Sequence, residues 1–157
     1  MKAFNDLGLS SNLLHNITKL GYEAPFPIQE QAIPAILTGK DVMGIARTGS
    51  GKTASFVLPI LEKLQQEKAI RNRNITALIL VPTRELAIQI QNVFTDFNVD
   101  LNRPIKTMAV FGGISINPQM KGMIGVEVLI ATPGRLLDLI AHNALSLEQV
   151  SVFAVDE

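Results

Sequence analysis

The 157-residue sequence contains no cysteine and no tryptophan, and aromatic residues make up only 5% of it. The absence of cysteine excludes disulfide bonds and thiolate metal sites. Net charge is also absent, because 14 basic side chains balance 14 acidic ones, and this disfavours a protein that binds nucleic acid through overall charge alone. No apolar run approaches the roughly 20 residues that cross a bilayer, and the first ten residues lack the apolar stretch of a signal peptide. These absences predict a cytoplasmic protein without a membrane segment.

The composition that is present belongs to a globular protein, with 47% hydrophobic and 18% charged residues. A chain of this length predicts one domain with a sizeable core. Five short apolar runs have the length of strands, and segments with apolar residues at helical spacing alternate with them. The runs are 41–46, 77–81, 105–111, 126–131 and 150–155. Strands that alternate with helices pair in parallel through right-handed crossovers, so the sequence predicts a three-layer α/β sandwich.

Two helices are predicted before the first of these runs, and a third is predicted between the first and second runs. Ser10 or Ser11 can cap the first helix, which ends at Gly21. The second helix is expected from near Ile28 to Gly39, and Pro34 should kink it. The third covers 54–66, and further helices follow the runs 77–81 and 126–131.

The segment from Ala46 to Thr53 reads ARTGSGKT and lies between an apolar run and a segment with helical spacing. In this setting the pattern predicts a phosphate-binding loop, whose backbone N–H groups cradle the phosphates of a nucleotide. Lys52 is expected against the β- and γ-phosphates, and the Thr53 hydroxyl is expected to ligate Mg²⁺. The alternative is a glycine-rich turn with a solvated lysine. The residues predicted to bind the nucleotide in this loop are Thr48, Gly49, Ser50, Gly51, Lys52 and Thr53.

Gln29 and several short motifs are further candidates for a site. The Gln29 amide can both donate to and accept from the edge of an adenine, although a solvated or capping glutamine is the plainer interpretation. In parallel sheets, ligands bind at the carboxyl ends of the strands. Five segments each follow a predicted strand: the phosphate loop, PTRELA at 82–87, the glycine pair at 112–113, TPGR at 132–135 and the acidic pair at 156–157. One edge of the sheet therefore carries the candidate chemistry.

Taken together and in this order, the motifs resemble those of the first RecA-like domain of a DEAD-box ATP-dependent RNA helicase. The resemblance runs from Phe4 to Glu157 and includes GYEAPFPIQ, ARTGSGKT, PTRELA, the glycine pair, TPGR and VDE, the last being similar to the start of D-E-A-D. It implies a RecA-like P-loop NTPase fold that uses ATP and Mg²⁺ and grips RNA. Residues 1–40 would form helices with the adenine-recognition motif, and 41–157 would form the first RecA-like domain.

The resemblance also implies a role for each matching residue. Phe4 is expected to stack on adenine and Gln29 to read its edge. Asp156 is expected to hold Mg²⁺ through water, together with Thr53, while Glu157 orients and deprotonates the attacking water and Lys52 completes the catalytic set. Threonine hydroxyls, glycine N–H groups and arginines can hold a ribose-phosphate backbone without reading bases. The expected RNA-binding residues are Thr83, Arg84, Gly113, Thr132, Gly134 and Arg135.

Two departures from the family pattern qualify the resemblance. Position 26 is Phe where the family often has Thr or Ser, and the sequence stops within D-E-A-D, before the last strands of the domain and before a second RecA-like domain. We therefore expect weak adenine-nucleotide binding and negligible turnover from these residues alone. Two other functions remain open, namely a nucleotide- or RNA-binding module without turnover and a P-loop ATPase of another kind. Neither the RNA substrate nor the oligomeric state follows from the sequence.

Overall fold

The computed structural model of the chain describes residues 2–157 and divides into two compact units. One unit comprises the residues up to Glu67 together with Val93–Pro104, and the other comprises Lys68–Asn92 and Ile105–Glu157. Among residues 2–157, no helix is long and apolar enough to cross a membrane.

The first unit is helical. A 3₁₀ helix at Phe4–Leu7 is followed by α1 (Ser11–Lys19), α2 (Pro27–Leu37) and α3 (Lys52–Gln65). Ser10 is the N-cap residue of α1, as predicted, and Pro27 occupies the first position of α2, where its fixed φ and missing N–H cost nothing. The final turns of α4 (Arg84–Phe97) also belong to this unit. The three helices predicted before residue 67 are therefore confirmed, and their ends lie within two residues of the predicted ones.

Buried apolar side chains and a few polar contacts hold this unit together. Leu13, Ile33 and Phe97 are buried, and α2 packs against α3. The side chain of Asn16 donates from Nδ2 to the carbonyl oxygens of Phe97 and Val99. Such contacts matter because a buried polar group must keep a partner when it leaves water.

Two further side chains satisfy the ends of helices in the first unit. The buried Glu62 carboxylate accepts a hydrogen bond from the Ser10 N–H at 2.8 Å, at the start of α1. The Arg103 guanidinium donates to the carbonyl oxygens of Leu64 and Glu67 at 2.5 and 3.0 Å, at the end of α3. An anion at a helix N-terminus and a cation at a helix C-terminus both match the helix dipole.

The second unit contains a four-stranded parallel sheet. Its strands are β1 (Ala77–Leu80), β2 (Thr107–Val110), β3 (Val128–Ala131) and β4 (Val152–Val155), in the order β2-β3-β1-β4. All three pairings are parallel, and Leu80, Ala131, Val110 and Val155 occupy corresponding positions at the carboxyl ends of the strands. The start of α4 belongs to this unit, as do α5 (Ile116–Gly122) and α6 (Pro133–Ala141). The predicted α/β class with a parallel sheet is confirmed.

The burial of the strands follows their position in the sheet. All four residues of β3 are buried, as expected for an interior parallel strand covered on both faces. Leu78 and Leu129 of the sheet share one apolar cluster with Leu136 and Leu139 of α6 and with Met123. The edge strand β4 instead alternates half-buried and exposed residues, with Phe153 59% and Val155 64% exposed.

The strand predicted over 41–46 is wrong. That segment has no regular structure, and Met43 and Ile45 are each 88% exposed. A strand exists only where its N–H and C=O groups pair with a neighbour, and within residues 2–157 this segment pairs with none of the strands. The sequence also gave no indication of α5, which is only seven residues long and contains Pro118.

Candidate functional site

The phosphate-loop segment leads directly into α3. Gly49 and Gly51 have positive φ angles of 78° and 81°, a conformation that glycine adopts without strain. The helix begins at Lys52. Its N-cap residue is Gly51, which has no side chain that could cap the helix, and the first turn contains no acidic residue. Among the described residues, the buried Ser50 hydroxyl also has no hydrogen-bond partner. The loop therefore presents unpaired donors at a helix N-terminus, which is the arrangement that binds an anion.

Gln29 is completely buried beside this loop. Its Oε1 accepts a hydrogen bond from the Phe26 N–H at 3.0 Å, and its Nε2 donates to the Gly51 carbonyl oxygen at 3.1 Å. A Cβ on Gly51 would collide with the Gln29 amide and would lie 2.7 Å from the Phe26 ring. Gln29 therefore caps α2, as its plainer interpretation expects, and also fixes the last residue of the loop before α3.

Two aromatic residues of the resemblance occupy different environments. Phe26 precedes α2 and is exposed, and because its side chain has no acceptor, only Gln29 contributes a side chain to this cap. Phe4 is buried in the 3₁₀ helix, which contacts α2, and its ring meets Tyr22 edge to face at a centroid distance of 6.5 Å. Stacking of Phe4 on adenine stays a prediction.

In the second unit, three predicted motifs follow three neighbouring strands. PTRELA follows β1, the glycine pair follows β2, and TPGR follows β3, which lies between the other two. Hydrogen bonds from Val81 N–H to the Ala131 carbonyl (3.0 Å) and from Thr132 N–H to the Val110 carbonyl (3.1 Å) keep the strand ends aligned. The structure thus brings the three motifs to one edge of the sheet, as predicted.

The predicted RNA-binding residues differ in how much of each side chain is free. Thr83 is exposed and accepts a hydrogen bond from the Leu86 N–H at 3.2 Å, which caps α4. Thr132 is the N-cap residue of α6, but its side chain makes no capping hydrogen bond. Gly113 has a φ of 82° and, like Gly134, faces open space where a Cβ would be. These groups leave hydroxyl and backbone donors at the surface of this edge.

The two arginines of these motifs are placed in opposite ways. Arg84 is exposed, and its guanidinium carbon lies 4.9 Å from the centroid of the Phe111 ring. Arg135 is only 8% exposed and donates to Gln119 Oε1 and to the Ile114 carbonyl, each at 2.8 Å. The structure therefore leaves Arg84 open to a ligand, whereas the Arg135 guanidinium is bonded within the protein.

The acidic pair lies at the same edge of the sheet. The Asp156 N–H donates to the Leu80 carbonyl at 3.0 Å, so Asp156 continues the pairing between β4 and β1. Glu157 follows and is exposed. The predicted site residues therefore divide between the units: Phe4, Gln29 and the phosphate loop belong to the first, and the acidic pair and the RNA-binding motifs belong to the second.

One residue of this edge was missed by the sequence analysis. Gln119, in the short helix α5, is 4% exposed and donates from Nε2 to the Phe111 carbonyl at 3.2 Å. A lone glutamine in a seven-residue helix carries no sequence signal of burial, because glutamine is usually exposed. The role of Gln119 at this edge becomes visible only in the structure, where it accepts a hydrogen bond from Arg135, 16 residues away.

Comparison with known proteins places these features in a family. Residues 26–157 match the DEAD/DEAH box helicase model. Over 98% of its length, the chain is 47% identical to the DEAD-box ATP-dependent RNA helicase CshA of Streptococcus pneumoniae and 43% identical to the ATP-dependent RNA helicase DeaD of Escherichia coli. It spans only 28% and 24% of those two proteins, respectively.

Two solved structures share its fold. A DEAD box protein from the hyperthermophile Methanococcus jannaschii aligns over 99% of this chain and 41% of its own, with a TM-score of 0.87 and 40% identity. The RNA-helicase Prp28 from Chaetomium thermophilum, bound to ADP, aligns over 100% of this chain and 38% of its own, also with a TM-score of 0.87 and 40% identity. The match to the family model covers most of the sequence and includes every motif at the carboxyl edge of the sheet. The chain therefore belongs to the DEAD/DEAH box helicase family.

Proposed function

We propose that this chain is the ATP-binding part of an RNA-dependent ATPase that locally unwinds or remodels RNA duplexes. The observation that carries the proposal is the start of α3, where a glycine-bearing loop leads into a first turn without a capping side chain or an acidic residue. Backbone N–H groups and the helix dipole both favour a phosphate at such a position. The relatives named above as ATP-dependent RNA helicases, and the Prp28 structure with ADP, support the same assignment.

The nucleotide would be held by residues of the first unit. Lys52, the first residue of α3, would supply a positive charge for the β- and γ-phosphates. The backbone from Thr48 to Gly51 would supply N–H donors, and the Ser50 N–H would exchange its 3.3 Å bond to the Arg47 carbonyl for a phosphate oxygen. Phe4 stacks on adenine, and Gln29 reads its edge. Since the Gln29 amide is buried and bonded to Gly51, reading adenine requires the amide to become accessible and to exchange that bond for the base.

Hydrolysis would use the acidic pair together with Lys52. Bound Mg²⁺, held by the Thr53 hydroxyl and through water by Asp156, would neutralise charge on the phosphates. Glu157 orients the attacking water and accepts its proton while the water oxygen bonds to the γ-phosphorus and the bond to the bridging oxygen breaks. Lys52 stabilises the charge that develops on the transferred group.

RNA would lie along the carboxyl edge of the sheet in the second unit. Thr83, Arg84, Gly113, Thr132 and Gly134 offer hydroxyl, N–H and guanidinium donors, which bind phosphate and ribose without reading bases. We expect binding that does not depend on base sequence. This chain spans only 28% and 24% of the CshA and DeaD relatives, so we assign turnover and duplex separation to a longer protein and expect negligible turnover from these 157 residues alone.

A nucleotide titration tests the proposal. A fluorescent ADP analogue should bind the chain and be displaced by ATP and ADP, but at least about tenfold less well by GTP, because a guanine edge mismatches an adenine-reading amide. Lys52→Ala should abolish binding, whereas Lys40→Ala, which removes an exposed lysine of the same unit, should leave it unchanged. Equal displacement by GTP, or unchanged affinity in Lys52→Ala, would contradict the proposal.

A further inference from the structure

The turn formed by Gly112 and Gly113 is held at both ends by buried side chains. The carbonyl before the pair, that of Phe111, accepts a hydrogen bond from Gln119 Nε2 at 3.2 Å. The carbonyl after the pair, that of Ile114, accepts one from Arg135 Nη2 at 2.8 Å. Arg135 Nη1 also donates to Gln119 Oε1 at 2.8 Å, which closes the network around the turn. The turn itself contributes only exposed glycines, so its position depends on these contacts.

The placement of Arg135 is costly unless these contacts are made. Its guanidinium is 8% exposed and lies in the first turn of α6, where the helix dipole is positive and disfavours a cation. Its Nε has no hydrogen-bond partner among the described residues, and the nearest carboxylate oxygen, on the exposed Asp138, is 3.7 Å away. A buried cation of this kind is tolerated only where it is well bonded. The Ile114 carbonyl and Gln119 supply that bonding here.

The same network reaches PTRELA, the motif that contains Arg84, through Phe111. The exposed Arg84 guanidinium lies over the Phe111 ring at 4.9 Å, within the range of a cation–π interaction. Because Gln119 holds the Phe111 carbonyl, it also limits where this ring can lie. Segments that follow β1, β2 and β3 are therefore connected by side chains as well as by the sheet.

We propose that Gln119 and Arg135 are positioning residues that fix the Gly112–Gly113 turn, and that Arg135 acts on RNA through this turn instead of contacting RNA itself. The RNA part of the inference rests on the proposed function, whereas the fixing of the turn does not. A turn that is already ordered loses less conformational entropy when RNA binds, and this raises the affinity for RNA.

The variant Gln119→Leu tests the inference because it leaves the Arg135 guanidinium in place. The backbone amides of Gly112 and Gly113 should show greater mobility by nuclear magnetic resonance relaxation, while those of Gly49 and Gly51 stay unchanged. Affinity for a single-stranded oligoribonucleotide should fall about fivefold, corresponding to the loss of about one hydrogen bond, and ADP affinity should not change. Gln149→Leu removes an exposed glutamine and is the matched control.

Arg135→Lys separates positioning from direct contact. Lysine keeps the positive charge but lacks the planar fork that bonds Gln119 and Ile114 at once. If Arg135 only positions the turn, this variant should have mobile Gly112 and Gly113 amides and weaker RNA binding. If Arg135 instead contacts an RNA phosphate directly, RNA binding should be nearly unchanged.

If Gln119→Leu fails to fold, Gln119→Glu takes its place. It keeps the acceptor for Arg135 but removes the donor to Phe111, so mobility should increase at Gly112 more than at Gly113.

Unchanged glycine amides in Gln119→Glu and Arg135→Lys would overturn the inference. A mobile turn with parental RNA affinity would overturn its second half, the action on RNA. If the parent chain binds no RNA at all, the RNA part of the proposed function fails, and the glycine amides still decide whether the two side chains fix the turn.

Discussion

The Gln29 amide nitrogen lies 3.1 Å from the carbonyl oxygen of Gly51 and donates a hydrogen bond to it. Gln29 belongs to α2, and Gly51 is the residue from which α3 begins, so one buried side chain connects the adenine-recognition motif to the phosphate loop. The sequence predicts both elements but not this bond between them. Its consequence is that the proposed reading of adenine and the conformation of the loop depend on the same amide.

We expect Gln29→Ala to weaken ADP binding and also to reduce the preference for ADP over GDP. Alanine removes both the bond to Gly51 and the acceptor for the Phe26 N–H, and loss of the cap should cost about 1 kcal/mol of stability. Displacement titrations with both nucleotides measure the preference. Gln31→Ala, at an exposed position of α2, is the control and should behave like the parent. If the ratio of ADP to GDP affinity stays the same, Gln29 is only a cap and does not read the base.

Glu62→Ala should destabilise the chain by about 1–3 kcal/mol, because it leaves the Ser10 N–H without its acceptor at the start of α1. Urea-induced unfolding measures this difference in free energy. Glu67→Ala removes an exposed carboxylate just after α3 and should change stability by less than about 0.5 kcal/mol. Equal stability of the two variants would show that the contact between Glu62 and Ser10 contributes nothing.

Arg84→Ala should weaken binding to single-stranded RNA and make it less sensitive to salt. If Arg84 neutralises one phosphate, the slope of the logarithm of affinity against the logarithm of salt concentration should fall in magnitude by about 0.7. Binding measured over a series of salt concentrations gives this slope. Arg71→Ala, in an exposed loop, should leave the slope unchanged. A parental slope in Arg84→Ala would mean that this guanidinium serves only to cover the Phe111 ring.

Much of the sheet was predictable from the sequence, because β1 and β3 are continuous apolar runs that suit strands buried on both faces. The run at 41–46 is also mostly apolar but forms no strand, since composition does not tell whether a neighbouring strand is present to pair with it. Order along the chain predicted correctly that PTRELA, the glycine pair, TPGR and the acidic pair share the carboxyl edge. It also placed the phosphate loop there, but the strand that should have preceded this loop does not form. Order along the chain did not predict which side chains of these motifs are free.

Arg135 shows why side-chain environment was harder to predict than position. The TPGR motif predicted an arginine that touches RNA, but the structure buries its guanidinium against Gln119 and Ile114. Contacts between residues 16 and 21 positions apart depend on how α5 and α6 pack, and no local pattern encodes them. The same holds for Asn16, whose partners lie more than 80 residues away.

Thermal unfolding of the 157-residue chain with and without Mg²⁺-ADP tests the central claim most directly. Binding to the folded state alone raises stability by about 2.7 kcal/mol at a ligand concentration 100 times Kd. We therefore predict a cooperative transition whose midpoint rises with ADP concentration, rises much less with GDP, and does not rise in Lys52→Ala. A cooperative transition with the same midpoint at every ADP concentration would contradict the claim that this chain forms an adenine-nucleotide site.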